Sequence, residues 1–244
     1  MNVVGIDGCR RGWFYVHLLE PGCYKTGIGE TLQALHDIIA GADLTLIDIP
    51  IGLKSGGKAE RKCDLEARRL LGRRSSSVFP VPCRQVLACK SYREGSELNH
   101  THTGRKLSRQ SWGIVPKIAE ADLLIRQLPD KTKLREMHPE VCFRALNSGQ
   151  PMAHNKKLPQ GQAQRFAVLM RHLPQSCAIV NQARASWLKK DLADDDILDA
   201  LVGAVTASYP ETLRSLPDTA EKDELGLIME IVFANPGSVS IKRP

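Results

Sequence analysis

The stretch LTLIDIP at residues 44–50 constrains the fold of this chain more than any other. A strand apolar at nearly every position is buried on both faces, and a sheet covered on both sides carries helices on each. The run ends in an acid, Asp48, and Pro50 stops it. A second strand with the same ending opens the chain: NVVGIDG, residues 2–8, is rich in β-branched residues and places Asp7 between glycines. WFYVHLL (13–19) and CYKTGIG (23–29), separated by a turn at Pro21 and Gly22, complete an antiparallel three-stranded meander. In ETLQALHDIIAGA the apolar positions Leu32, Leu35, Ile38 and Ile39 recur at helical spacing, with Thr31 as the cap and Gly41 as the stop. This strand and helix rhythm predicts an α/β fold.

Residues 53–129 break the rhythm. They contain a helical pattern through CDLEARRLLG, the proline-fixed loop SSSVFPVPCR and a polar stretch around NHTHTGRK, and they read as a large insertion between a fourth and a fifth strand of a single domain over 1–244. The helical IAEADLLIRQL returns the chain to the sheet, and LREMHPEVCF supplies the fifth strand, ending near Glu140. GQAQRFAVLMRHL and DDDILDALVGAVTASY read as helices joined by a polar connection. LIMEIVFA reads as one further strand, with a loose tail after Pro236.

Charge singles out the insertion. Between Leu53 and Arg109 there are fourteen Lys or Arg against five Asp or Glu, whereas the whole chain nets +7, so the remainder is slightly acidic. A localised basic excess suits an anionic partner such as nucleic acid, although a solvated basic loop carries the same signature. No apolar run approaches a membrane span, and the N-terminus enters a strand pattern at once, so the expected setting is cytoplasmic with no membrane partner. Seven cysteines without a CxxC pair agree with a reducing compartment. The grouping Cys83, Cys89, His100 and His102 has spacings that fit no common structural zinc site.

The acids carry the chemistry. Asp7 and Asp48 end apolar strands, and Asp196 and Asp199 lie three apart, on one face at the start of an otherwise apolar helix. Each alone has a plainer explanation as a turn or helix cap. Asp199 resists it best, because it lies a turn inside the helix beside Ala200, Leu201 and Val202. Carboxylates that converge can share the cost of burial by holding a hard cation, and oxygen-only ligands suit Mg²⁺ or Mn²⁺. Two such ions roughly 3.5–4 Å apart activate a water and stabilise the leaving oxygen of a phosphodiester. Glu140 is a further candidate acid.

The segments GIDGCRRGW (5–13), LIDIPIGL (46–53), RKCDLEARRLLG (61–72), SSVFPVPCR (76–84), PKIAEAD (116–122), EMHPEVCF (136–143) and DDDILDALVGA (194–204) resemble a domain-of-unknown-function family of predicted ribonuclease-H-like nucleases. The wider resemblance is to Holliday-junction resolvases, which carry acids on the first and fourth strands and an acid pair on a late helix. Asp7, Asp48, Asp196 and Asp199 match these positions. Glutamate is usual on the fourth strand there, and Asp48 is a shorter substitute. The resemblance implies a mixed five-stranded sheet in the order 3-2-1-4-5, with metal at the adjacent ends of strands one and four. Lys117 and Lys157 lie in segments that look like family motifs and are candidate phosphate contacts, as point charges. Arg84 is a candidate for shaping a substrate wall.

The leading expectation is therefore a metal-dependent nuclease, with Asp7 bridging two ions, Asp48 and Asp199 completing their shells, and Asp196 or Glu140 assisting. Two alternatives stand beside it. An actin-like phosphotransferase shares the fold and begins with a glycine-flanked aspartate, but normally needs two such domains. A non-catalytic nucleic-acid binder would leave the clustered acids repelling one another without a cation. The oligomeric state, a homo-oligomer included, is left open by the sequence.

Overall fold

The computed structural model describes residues 1–20 and 22–238. Pro21, half of the expected turn with Gly22, and the expected tail from residue 239 onward lie outside the described residues. The first three strands, β1 (Val3–Cys9), β2 (Gly12–Leu18) and β3 (Tyr24–Gly29), form the antiparallel meander. A 3₁₀ turn at Leu32–Leu35, capped by the Thr31 side chain, leads into α1 (His36–Gly41). The next strand, β4 (Leu44–Ile47), returns parallel to β1 with Ile6 opposite Ile47. Parallel to it lies β5 (Leu134–Glu136), so the sheet has the order β3-β2-β1-β4-β5.

Between β4 and β5 the chain forms α2 (Lys62–Leu71), α3 (Tyr92–Thr103) and α4 (Arg109–Gln127). The polar NHTHTGRK stretch is thus largely helical. Ser91 caps α3 by accepting the Glu94 amide, and the helix buries Gly95, Ser96 and Asn99 in place of an apolar stripe. The fifth strand is shorter than the sequence suggests. It ends at Glu136, and Pro139 opens α5 (Pro139–Leu146), placing Glu140 in a first helical turn and not at a strand end.

Three further helices, α6 (Pro159–His172), α7 (Ser176–Ser186) and α8 (Asp194–Ala207), follow. The expected polar connection is occupied by α7. The end of the chain pairs β6 (Leu213–Lys222) with β7 (Ile228–Ala234) in a separate antiparallel ribbon, so LIMEIVFA has a partner strand the sequence reading did not foresee. A bridge from Met137 to Val232 brings this ribbon beside β5.

The apolar alternation of β1 supplies two cores. Val4 and Ile6 face a layer that includes Ile39, Ile118, Ala121 and Ile125, from α1 and α4. Val3 faces the opposite layer, where α5, α6, α7 and α8 contribute Phe143, Leu169, Ile179 and Leu201. Helices on both faces are what the apolar β4 run requires. Among the described residues no helix is long and apolar enough to cross a membrane.

Candidate metal centre

The parallel register of β1 and β4 ends at Ile6 and Ile47, so Asp7 and Asp48 follow side by side at the same sheet edge. Asp7 shares its face of β1 with Gly5, two residues earlier. Gly5 lies directly against α8: a Cβ there would collide with the Ala200 carbonyl and the Ala204 amide. Backbone therefore touches backbone, and the first turns of α8 come to the level of Asp7. Asp7 and Asp199 are both buried, at 7% and 1% exposure, while Asp48 and Asp196 are half-buried.

The four carboxylates disturb one another. Burial, then Asp48, Asp199 and Asp196, hold the Asp7 carboxyl well above its ordinary range. Asp48 is pushed up to about 6 by burial, with Asp196 and Glu140 adding to it and Lys156 opposing it. Asp199 also rises to about 6, through burial and the charge of Asp48, again against Lys156. Asp196 rises to about 6 through burial, although its Oδ2 accepts the Ala193 amide at 3.0 Å, which is the capping role the sequence allowed. Desolvation and like charge both disfavour the ionised form, and here they act together.

Lys156 stands among these acids. Its Nζ donates to Asp199 Oδ2 at 2.5 Å and lies 3.7 Å from Asp195 Oδ2. Burial alone would lower its affinity for a proton, but Asp199, Asp7 and Asp48 hold it well above the ordinary lysine range. Asp199 Oδ1 is buried with no hydrogen-bond partner.

A cavity of about 700 Å³ opens over Asp7 and Asp48 and is also lined by Lys117, Glu140 and Lys157. Lys117 is fixed at its edge. Its ammonium donates to the Gly12 carbonyl at 2.5 Å and lies 4.2 Å from the Trp13 ring centroid, and its stem packs on Gly8. Glu140 is buried and paired with Arg165, itself fully buried, which leaves it a charge already answered. Arg84 lies elsewhere, clamped between Asp122 at 2.7 Å and Asp223 at 2.5 Å, where it ties the loop to α4 and to the turn before β7. A larger cavity, about 840 Å³, sits at the opposite end of the sheet between Met1, Leu44, Lys131 and Ile228. It holds none of the four aspartates, and two of its lining charges, Arg135 and Glu230, satisfy each other in a bidentate pair.

Two groups at the site escaped the sequence reading. Lys156 is one residue from the lysine singled out, and neighbouring lysines in NKKLPQG are indistinguishable without the geometry. His138 precedes α5 at the N-cap position without a side-chain capping bond, lines the cavity and leaves Nδ1 buried without a partner, while Nε2 lies 3.2 Å from the Ser77 carbonyl. Its position immediately before a helix-opening proline was the available signal.

The donor set suits a hard divalent cation: oxygen only, buried at Asp7 and Asp199 and half-buried at Asp48 and Asp196, with one carboxylate oxygen left unanswered. The spacing does not yet match. Among the described residues no group of three or more His, Cys, Asp or Glu side chains is arranged to hold a metal ion.

The family model described as Protein of unknown function (DUF429) matches residues 5–222, and the chain belongs to that family. No curated protein matches the chain, and no solved structure does.

Proposed function

We propose that this protein is a metal-dependent nuclease of the ribonuclease-H-like class, hydrolysing phosphodiester bonds at Asp7, Asp48, Asp196 and Asp199. What supports the reading is the mutual charge effect of these four carboxylates, from neighbouring positions of β1 and β4 and from α8, beside an ammonium bonded to Asp199, whose other oxygen is buried and unpartnered. An antiparallel meander continued by two parallel strands, with Asp7 in the last part of β1 and Asp48 just past β4, supports the class assignment. Mg²⁺ or Mn²⁺ held by Asp7, Asp48 and Asp199, with Asp196 assisting, would polarise a phosphoryl oxygen and lower the pKa of a bound water.

The remaining steps belong to the chain itself. Lys117, locked over Trp13, offers a fixed positive charge to a phosphate entering the cavity. Lys157 is exposed beside the same opening and contributes a second, mobile charge. Glu140 acts through Arg165, which grips the His154 carbonyl at 3.1 Å and so steadies the segment carrying Lys156 and Lys157. The basic residues of 53–109 make nucleic acid the favoured anionic partner.

The test is cleavage of a panel of end-labelled single-stranded DNA, duplex DNA, RNA and branched junctions in Mn²⁺ or Mg²⁺. Cleavage of at least one member by the wild type is expected, with none in EDTA. Asp7→Asn and Asp199→Asn are expected to lose it while keeping wild-type circular dichroism. Undiminished cleavage by both variants would remove the assignment.

A further inference from the structure

Lys156 is held in place by its surroundings. The Met152 carbonyl accepts from Arg74 Nε at 3.1 Å, the Ala153 and His154 amides donate to Gln164 Oε1 at 2.9 and 3.3 Å, and the Leu158 amide donates to the Asn155 carbonyl at 3.0 Å. Gly161 presses so closely on the Asn155 backbone that a Cβ would collide with it. From 153 to 160 every residue but Lys156 is exposed. A surface segment anchored at so many points turns one side chain inward, and that side chain ends on Asp199.

One positive charge does not balance the group it faces. Asp199 accepts the ammonium through Oδ2 only, and its Oδ1 has no partner; Asp7, Asp48, Asp195 and Asp196 add their charge nearby. The Lys156 side chain is about one-third exposed, so its flexible stem reaches the acids from the solvent side. Rotation about its own bonds returns the ammonium to water without moving the anchored backbone.

We propose that Lys156 is a tethered counter-ion: it occupies the carboxylate cluster when no divalent cation is bound, and withdraws to admit one. The inference rests on the cation-holding reading of the site given above. It accounts for both sides of the observed geometry, suitable oxygen donors without, among the described residues, a chelating trio, because Asp199 is turned toward an ammonium and not toward a shared ion. The apparent affinity for the cation is then reduced by the fraction of molecules in which Lys156 is in place.

The experiment uses the full chain stripped with EDTA and Mn²⁺ as the probe. Calorimetric titration compares wild type, Lys156→Met and Lys156→Arg, and in parallel the wild type is acetylated with and without Mn²⁺, with peptide mass spectrometry reading Lys156 against exposed Lys157. Lys156→Met is expected to bind Mn²⁺ about tenfold or more tightly than wild type, since a competing charge at contact distance is gone. Lys156→Arg is expected to show no such gain, and acetylation of Lys156 relative to Lys157 is expected to rise when Mn²⁺ is added. Equal or weaker Mn²⁺ binding by Lys156→Met, or Lys156 acetylation unmoved by bound Mn²⁺, overturns the counter-ion role and leaves the cation site standing. No Mn²⁺ uptake by wild type or Lys156→Met overturns the cation site itself, and this inference with it. Should Lys156→Met not fold, the acetylation of the wild type decides alone.

Discussion

Around Arg61, every polar side-chain atom of one guanidinium and two carboxylates is hydrogen-bonded; around Lys156, one ammonium reaches Asp199 and Asp195 and leaves an oxygen of Asp199 without a partner. Both groups border the same cavity. Arg61 gives Nε and Nη2 to Asp64 at 3.0 and 2.6 Å, and Nη1 and Nη2 to Glu136 at 2.8 and 2.7 Å. Its Nη1 also meets the Ile51 and Gly52 carbonyls, and Glu136 accepts the Ile51 amide at 2.7 Å. No side-chain atom of this trio is buried without a partner among the described residues, whereas Asp199 Oδ1 is. The first arrangement ties α2 to β5 and the chain after β4, and has no capacity to spare. The second leaves a buried carboxylate oxygen of Asp199 without a hydrogen bond. The difference is between buried charge whose every polar atom is bonded and buried charge that leaves a carboxylate oxygen unanswered, the feature on which the proposed cation site rests.

Four measurements would break or sharpen this contrast. The largest effect is expected for Arg61→Met, which strands two buried carboxylates and should cost about 3–5 kcal/mol in urea unfolding. A loss below 1 kcal/mol, on the order of an exposed pair, would erase the distinction. Asp48→Asn should do the reverse, raising stability in EDTA at pH 8 by about 1–2 kcal/mol, because it removes one of several repelling charges. Destabilisation would mean that the Asp48 carboxylate is as well answered as that of Asp64.

The third measurement is the pH profile of the melting temperature. Asp48, Asp196 and Asp199 have folded-state values of about 6 against an ordinary 3.8, so the folded chain binds more protons than the unfolded one between these limits. Their contribution to stability is fully present below the ordinary value and lost as pH rises through about 6. In EDTA the cluster should therefore make the wild type less stable at pH 7 than at pH 5, and Asp48→Asn should flatten that slope; an identical profile in the variant would contradict it. The smallest effect is reserved for the exposed Arg93–Glu97 pair on α3, where Arg93→Ala should change stability by less than about 0.5 kcal/mol in the same urea assay.

Much of the scaffold could be read from the chain because its signals are local. The apolar runs before Asp7 and Asp48, and the buried stripe behind Asp199, fix strand and helix identity without help from distant residues. The segments that escaped lack such patterns. LRSLPDTAEK in β6 buries only Pro217, which also interrupts it, so it has no clean alternation. SCAIVNQARAS in α7 buries only Ser176, Ile179 and Ala183, too thin a stripe to announce a helix. At the site the acids were legible because carboxylates are expensive to bury beside apolar neighbours. Lys156 was not, since its inward turn depends on Gln164 and Arg165 of α6 holding the preceding backbone. Arg84 illustrates the opposite case: a basic residue in a distinctive motif whose charge is consumed by Asp122 and Asp223.

The closeness of β1 and α8 at Gly5 has its own consequence. A Cβ added at Gly203, on the helix side, would lie 3.2 Å from Gly5 Cα. Where two elements meet through side chains, their separation can drift as those side chains are exchanged over evolution; here main chain rests on main chain, like a hard stop in a hinge. The reach from Asp199 to Asp7 is thereby decoupled from the composition of the surrounding core. Gly5→Ala is accordingly a wedge: it should pry the helix from the sheet and spread the acids apart without altering a single charge.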